Sequence, residues 1–213
     1  MNALQFEPLK RLPWIVHGFT LRPFAGRPDP DAGTSKLTLQ HQKVLDGFGL
    51  ERGTLALAEQ LHGAEIAAVR HGRSVAPGAD GLLTIWAGVV LGIHVADCCA
   101  IYLVETRQHA IALLHSGRRG TEANIAGAGV RKLLETCGGT ARDLVAVLSP
   151  CIHKCCYDVD FVAEIERQLG ESGVGSVWRH ADCTACHPNR YDSYRRDKGT
   201  TGRMLAFLAL RDR

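Results

Sequence analysis

Three apolar segments follow one another almost without polar relief: GVVLGIHVA (88–96), AIYLV (100–104) and HAIALLH (109–115). A strand with one wet face alternates apolar and polar residues, whereas a strand covered on both faces has no need to. These runs therefore predict strands at the centre of a layered protein. The chain is long enough for that. With 213 residues, 46% of them hydrophobic and 22% charged, it can bury a full core without covalent staples.

The remaining elements read as follows. WIVHGFTLR (14–22) suits a strand and FAGRPDPDAGTS (24–35) a loop. Apolar residues at 37, 44, 45 and 48 have helical spacing, with Gly49 as the stop. TLALAEQ (54–60) and AEIAAV (64–69) read as strands on either side of Leu61-His62-Gly63, and APGADGLLT (76–84) reads as turn chemistry. Residues 122–137 form one helical stripe through Ala123, Ala126, Val130, Leu133, Leu134 and Cys137, closed by Gly138-Gly139. LVAVLSP (144–150), SVWRH (176–180) and MLAFLAL (204–210) suit strands, and DFVAEIERQL (160–169) a short amphipathic helix. Strands outnumber helices and do not alternate with them. The expected class is α+β, mixed sheets packed with flanking helices, with 1–213 as a single domain.

A net charge of +3 is too small to argue for nucleic acid or a membrane surface. No stretch approaches the ~20 apolar residues of a spanning helix. The opening segment is interrupted by Pro8 and Pro13 and has no basic n-region, so it does not read as a signal peptide. The expectation is a cytoplasmic protein with reduced thiols and no nucleic-acid or membrane partner, its oligomeric state left open. In that setting eight cysteines and ten histidines speak for metal or chemistry rather than disulfides.

Three places set a metal-competent side chain beside a glycine or turn at a predicted strand end: EQLHG (His62), VADCCA (Asp97, Cys98, Cys99) and LLHSGRRG (His115). Strand ends hold functional groups on rigid backbone. His62 and Cys98 are 36 residues apart and Cys98 and His115 are 17 apart, so only the fold can unite them. Taken singly, each histidine also fits a surface or satisfied position, and Cys98 a small buried apolar residue.

A second set is SPCIHKCCYDVD (149–160) with ADCTACH (181–187). Cys183 to His187 spells the C-x-x-C-H of c-type haem attachment, which requires export that nothing else in the sequence supports. A structural zinc on Cys151, Cys155, Cys183 and Cys186 is chemically allowed. The expectation is nonetheless buried thiols and turns, with neither haem nor a second metal. A third set, YDSYRRDKGTTGR (191–203), carries Tyr191, Tyr194, Arg195, Arg196 and Arg203. Arginines near glycines grip phosphate bidentately or simply form a solvated basic loop.

Six blocks in order, EQLHG, GADGLLT, VADCCAIYLVE, LLHSGRRGT, LSPCIHKCCYDV and SYRRDKGTTGR, resemble the laccase-domain or YfiH-like family over about 59–210. Its members, first called multicopper polyphenol oxidases, are described as purine nucleoside phosphorylases that also act on methylthioadenosine and deaminate adenosine. The resemblance implies zinc or copper on His62, Cys98 and His115, with a purine nucleoside and phosphate as substrates. Phosphorolysis needs an anion held near C1′ of the ribose, and Arg118, Arg119 or the pair Arg195 and Arg196 are the candidates to hold it electrostatically. Arg22 matches a pocket arginine of the family, whose Gly-rich stretch after the first strand has no counterpart in FAGRPDPDAG. Where the family usually reads H-A-G-W-R-G, this chain has Ser116 for the alanine and Arg118 for the tryptophan.

Zinc on two imidazoles and a thiolate keeps a fourth position for water and lowers that water's pKa to about 7. Zinc deaminases use the same activation on adenine. Asp97 is placed to orient a ligand or move a proton, and Arg119 to hold an anion at the reacting centre, with a helix starting near Thr121 adding positive potential. Two rivals remain open: a metal-free cysteine hydrolase or amidase with Cys98 as nucleophile and His115 as base, and a non-catalytic zinc or redox-sensing module. One three-ligand site does not supply the several coppers of a polyphenol oxidase, so laccase activity is expected to be incidental.

Overall fold

In the computed structural model, which describes residues 3–22, 37–72 and 74–211, the apolar runs become inner strands of two stacked mixed sheets. The loop expected at 24–35 lies outside the described residues. The chain opens with β1 (Ala3–Leu4), α1 (Glu7–Lys10) and β2 (Ile15–Thr20), followed by α2 (Leu39–Gly47) and β3 (Leu55–Ala58). Next come β4 (Ile66–Ala68), β5 (Ser74–Ala76), β6 (Gly81–Thr84), β7 (Val90–Val95), β8 (Cys99–Glu105) and β9 (Ala110–Ser116). α3 (Arg118–Glu122), α4 (Ile125–Cys137), β10 (Leu144–Leu148), α5 (Phe161–Glu171), β11 (Ser176–Arg179) and β12 (Met204–Leu210) complete it. The first sheet has the order β1-β2-β12-β7-β3-β5, the second β11-β10-β8-β9-β6-β4.

Leu91, Ile93 and Ala206 of the first sheet share one core with Tyr102, Val104 and Leu113 of the second. On the second sheet's other face, Leu103, Ala112 and Leu114 pack with Val130 and Leu133 of α4 and Ile165 of α5. On the first sheet's other face, Leu55, Leu57 and Phe207 pack with Leu45 of α2. Helix, sheet, sheet and helices thus form four layers, and β7, β8 and β9 are buried along their whole length. Each large apolar side chain so buried contributes roughly 1.5–3 kcal/mol. The mixed α and β architecture with flanking helices is the expected one. Among the described residues no helix is long and apolar enough to cross a membrane.

Two local expectations are corrected. The stripe 122–137 is not one helix: Asn124 adopts φ 56°, ψ 48° and its side chain accepts from the Gly127 N–H, ending α3 and starting α4. Asparagine tolerates the left-handed region because its short amide bonds to nearby backbone. The helix after β9 starts at Arg118 rather than near Thr121, and α3 is a five-residue piece. APGADGLLT is only half turn: Gly81–Thr84 is a fully buried strand.

Consecutive strands do not stay in one sheet. β3 belongs to the first and β4 to the second; β7 belongs to the first and β8 to the second. Among the described strands the chain passes between the sheets six times, and two of these passages run around residues 59–65 and 96–98. Gln60 (φ 65°), His62 (φ 64°) and Asp97 (φ 86°) have positive φ at these passages. Such conformations cost non-glycine residues on the order of 1–3 kcal/mol and cluster at functional sites.

Candidate metal centre and binding cavity

His62 sits on the passage from β3 to β4 and Cys98 on the passage from β7 to β8. His115 is in β9, in register with Ala100 of β8, close behind Cys98. One ligand atom from each of the three lies within 4.8 Å of the other two. The His62 and His115 rings meet edge to face, with centroids 4.8 Å apart.

Asp80, fully buried, organises this group. Its Oδ1 accepts from His115 Nδ1 at 2.9 Å and from the His62 N–H at 2.8 Å, and Oδ2 accepts from the Gly63 N–H at 2.7 Å. A carboxylate on Nδ1 fixes the imidazole's tautomer and leaves Nε2 for a ligand. Burial raises the Asp80 carboxyl, but the hydrogen bond from His115 and those from the Gly63 and His62 amides outweigh it and keep it ionised. Gln60, also buried, brackets His94: its amide accepts from the His94 N–H at 2.9 Å and donates to the His94 carbonyl at 2.6 Å. This ties the first passage to β7.

Burial pushes the Cys98 thiol up, but the charge and hydrogen bonds of His115 and His62 prevail and bring it to about 6. Burial pushes His115 down, yet Cys98 and Asp80 carry it up to about 9. Without an ion the pair is thiolate and imidazolium. A Cβ at Gly117 would lie 2.7 Å from Cys98 Sγ and 3.4 Å from His62 Cδ2, so glycine alone keeps the space beside the sulfur. Two imidazoles, a thiolate, a buried carboxylate behind one imidazole and a cradle that a side chain would fill are a donor set suited to zinc or copper.

The centre opens into a cavity of about 740 Å³, within the range of small-molecule sites. Tyr157, Phe161 and Tyr194 supply aromatic surface, and Arg118, Arg119, Arg195, Lys198 and Arg203 supply positive charge. Among the described residues, Asp97 is the one carboxylate lining it. Both its oxygens are already engaged, Oδ1 by Thr184 Oγ1 and Oδ2 by the Arg195 N–H, each at 2.7 Å. Asp97 thereby ties the passage between β7 and β8 to the 180–203 connection.

Arg118 pairs with Glu122 at 2.9 Å on the exposed side of α3. Arg119 makes no ion pair with the described residues. The Arg195 guanidinium lies 5.4 Å from the Tyr157 ring centroid, and Arg203 lies 5.5 Å from that of Tyr194.

Arg22 and Arg196, expected to contact substrate, do not line the cavity. Arg22 donates to the Pro188 carbonyl and lies 3.5 Å from Asp192 and 3.6 Å from Asp197. Arg196 is spent on Asp197 and on the carbonyls of Thr184 and Tyr191. Both are structural ties of the 180–203 connection. Asp80, Gln60, Tyr157, Phe161 and Lys198 were not singled out in the sequence. Asp80 was visible only as an acid inside a turn-like GADG, and its burial needs the fold.

The fold and this site define a class: two-sheet α/β proteins with a mixed imidazole–thiolate centre at the floor of a cationic cavity. The sequence profile of the multi-copper polyphenol oxidoreductase laccase family matches residues 34–165 and 158–211, and the chain belongs to this family. It is 33% identical over 207 residues to purine nucleoside phosphorylase YlmD of Geobacillus stearothermophilus, covering 78% of this chain and 74% of that protein. An adenosine deaminase from an unknown prokaryotic organism is 29% identical over 134 residues, 59% of this chain and 49% of that protein. The crystal structure of Geobacillus stearothermophilus YlmD superposes with a TM-score of 0.89 at 27% identity, covering 100% of this chain and 97% of that one. The family expected from the six sequence blocks is the family found, and its curated relatives are named as enzymes.

Proposed function

We propose that this chain is a metal-dependent purine nucleoside phosphorylase that cleaves adenosine, inosine and methylthioadenosine and deaminates adenosine as a side activity. Its site of action is the cytoplasm, and 1–213 is one domain. The observation that carries this reading is the cavity wall: among the described residues, five cations against one internally satisfied carboxylate, above a three-ligand centre. Such a wall selects an anion.

In phosphorolysis a phosphate oxygen bonds to C1′ of the ribose, the C1′–N9 bond breaks, and the purine takes a proton. In deamination water replaces the amino group at C6 and ammonia leaves. Arg119, Arg195 and Lys198 are placed to hold phosphate and to offset charge as the bond to the base breaks. Tyr157, Phe161 and Tyr194 offer rings for the purine, taking over from the tryptophan that the family carries where this chain has Arg118. Asp97, through the Arg195 amide, keeps that arginine's segment against the cavity. Zinc or copper on His62, Cys98 and His115 would supply Lewis acidity at the cavity floor.

A metal-free cysteine hydrolase is the second reading, favoured by the Cys98 thiolate beside the His115 imidazolium. Protein purified without a histidine tag and loaded with zinc or copper should release free base from one of the three nucleosides only when phosphate is present, with ribose 1-phosphate (or its methylthio analogue) as co-product. Absence of phosphate-dependent turnover on all three would overturn the proposal. Turnover unchanged after chelation would favour the hydrolase.

A further inference from the structure

Away from the cavity floor, Cys155, Cys156, Cys183 and Cys186 bring their sulfurs together, all within 4.8 Å of one another. Cys156 Sγ is 3.4 Å and Cys155 Sγ 3.6 Å from Cys186 Sγ. The edge of a tetrahedron with metal–sulfur bonds of about 2.3 Å is ~3.8 Å. The membership differs from the sequence pattern. Cys151 is buried, turned to Cys99, and shares only a backbone bridge with Cys183; Cys156 takes the fourth corner.

We infer that these four cysteines hold a second, structural zinc ion, separate from the centre at the cavity floor and against the expectation from sequence of thiols and turns alone. Three independent features support it. The first is that all four are free thiols and Cys186 lies near both Cys155 and Cys156, an arrangement that a single central ion serves at once.

The second is the backbone. Two tight turns each present two thiols: Cys156 N–H donates to the His153 carbonyl at 2.9 Å, and Cys186 N–H to the Cys183 carbonyl at 3.2 Å. The His153 N–H points at Cys183 Sγ at 3.4 Å. Amides aimed at sulfur stabilise thiolate, the form that binds metal.

The third is what the cluster joins. The connection from 180 to 203 contains no helix or strand. It nevertheless supplies Tyr194, Arg195, Lys198 and Arg203 to the cavity. Long connections without regular structure are uncommon in packed proteins and need a tie. The cluster clips this connection to the 150–160 segment and the start of α5, which supply Ile152, Tyr157 and Phe161 to the same cavity. Ile152 N–H bonds to the Asp97 carbonyl, and Thr184 Oγ1 to the Asp97 carboxylate. An ion on the four thiolates, formed with release of their protons, would brace both halves of the wall against the passage that carries Cys98. With four sulfur ligands it would have no open position, the mark of a structural rather than a catalytic zinc.

The test is zinc content of the full chain, purified untagged under reducing conditions, with the double variants Cys155→Ser/Cys186→Ser and His62→Ala/Cys98→Ala. Two zinc equivalents in the native protein, falling to one in each variant, are expected. Cobalt loaded into His62→Ala/Cys98→Ala should give the intense thiolate-to-cobalt absorption of an all-sulfur tetrahedral site. One equivalent in the native protein that persists in Cys155→Ser/Cys186→Ser would overturn the inference. If that variant does not fold, the native protein decides. Under non-reducing denaturation with an alkylating agent, four free thiols from this cluster and two released zinc ions sustain the inference. Two disulfides, or no zinc retained in His62→Ala/Cys98→Ala, refute it.

Discussion

At the cavity floor, three ligand-type side chains come from separate segments spread from 62 to 115, two of them on passages between sheets, on backbone with positive φ at Gln60, His62 and Asp97. A buried carboxylate aims one imidazole, and a glycine keeps space beside the thiolate. Beside Tyr157, four thiols come from two short turns, three of them partly or fully exposed, with no carboxylate and no imidazole among them. The contrast teaches how a fold separates two uses of the same ligand chemistry. Mixed donors on rigid, strained strand ends are built to keep a position open, whereas like donors on turns are built to close one.

The sharpest way to break this comparison is to remove one sulfur from each group. Cys98→Ala should reduce phosphorolysis and deamination by about a thousandfold or more, the several kcal/mol that a Lewis acid supplies, and leave the melting temperature within a few degrees. Cys183→Ser should do the opposite, lowering the melting temperature by ~5 °C or more while retaining metal at the floor. Kinetics and calorimetry on both variants check this; equal effects would erase the distinction.

Arg119→Ala tests whether the floor and the cationic wall act separately. It should raise the KM for phosphate and cost phosphorolysis roughly 1.5–3 kcal/mol of transition-state stabilisation, the range of a charge-assisted contact. Deamination, which uses no phosphate, should suffer less. Equal losses in the two reactions would assign Arg119 to the metal centre as a whole. Asp80→Asn probes the support of the floor alone. It should weaken metal binding there by about 10–100-fold, as loss of an outer carboxylate does, measured by competition with a chelator, and leave the cysteine cluster's metal in place.

The smallest effect is one of pH. In metal-stripped protein, Cys98 is held down to about 6 by His115 and His62, so its thiolate is already the major form at neutral pH. Cys155 and Cys156 are pushed above the ordinary thiol range, Cys155 mainly by its contact with Cys186; at Cys156 the contact with Cys186 pulls down, but burial and the contacts with Cys155 and Cys183 outweigh it. Alkylation mapped by mass spectrometry should therefore reach its plateau for Cys98 by about pH 7, while the rates at Cys155 and Cys156 continue to rise above about pH 8.5. A common pH midpoint for all three thiols would contradict the electrostatic difference between the two groups.

Much of this was legible in one dimension. Uninterrupted apolar runs gave β7, β8 and β9, because strands buried on both faces leave no room for alternation. His62, Cys98 and His115 stood out because each is metal-competent and each ends a strand next to a turn or glycine. The cavity's other parts were less visible. Tyr157 and Phe161 look like ordinary turn and helix residues, and Arg22 and Arg196 look like anion binders until Asp192 and Asp197 are seen beside them.

The sequence by itself determined which segments are the long central strands, which residues are capable of holding a metal, and which family the chain resembles, since these depend on local periodicity and residue type. Only the tertiary structure decided that β7 and β8, neighbours in the chain, lie in different sheets, so that Asp97 and Cys98 fall on the passage between them. It also decided that Asp80 is buried against His115, and that Cys156 rather than Cys151 joins the thiol cluster. Which sheet a strand joins, and which of two nearby cysteines faces a distant turn, are settled by long-range packing and, at the passages between sheets, by residues turned into the left-handed region. Neither leaves a periodic trace in the sequence.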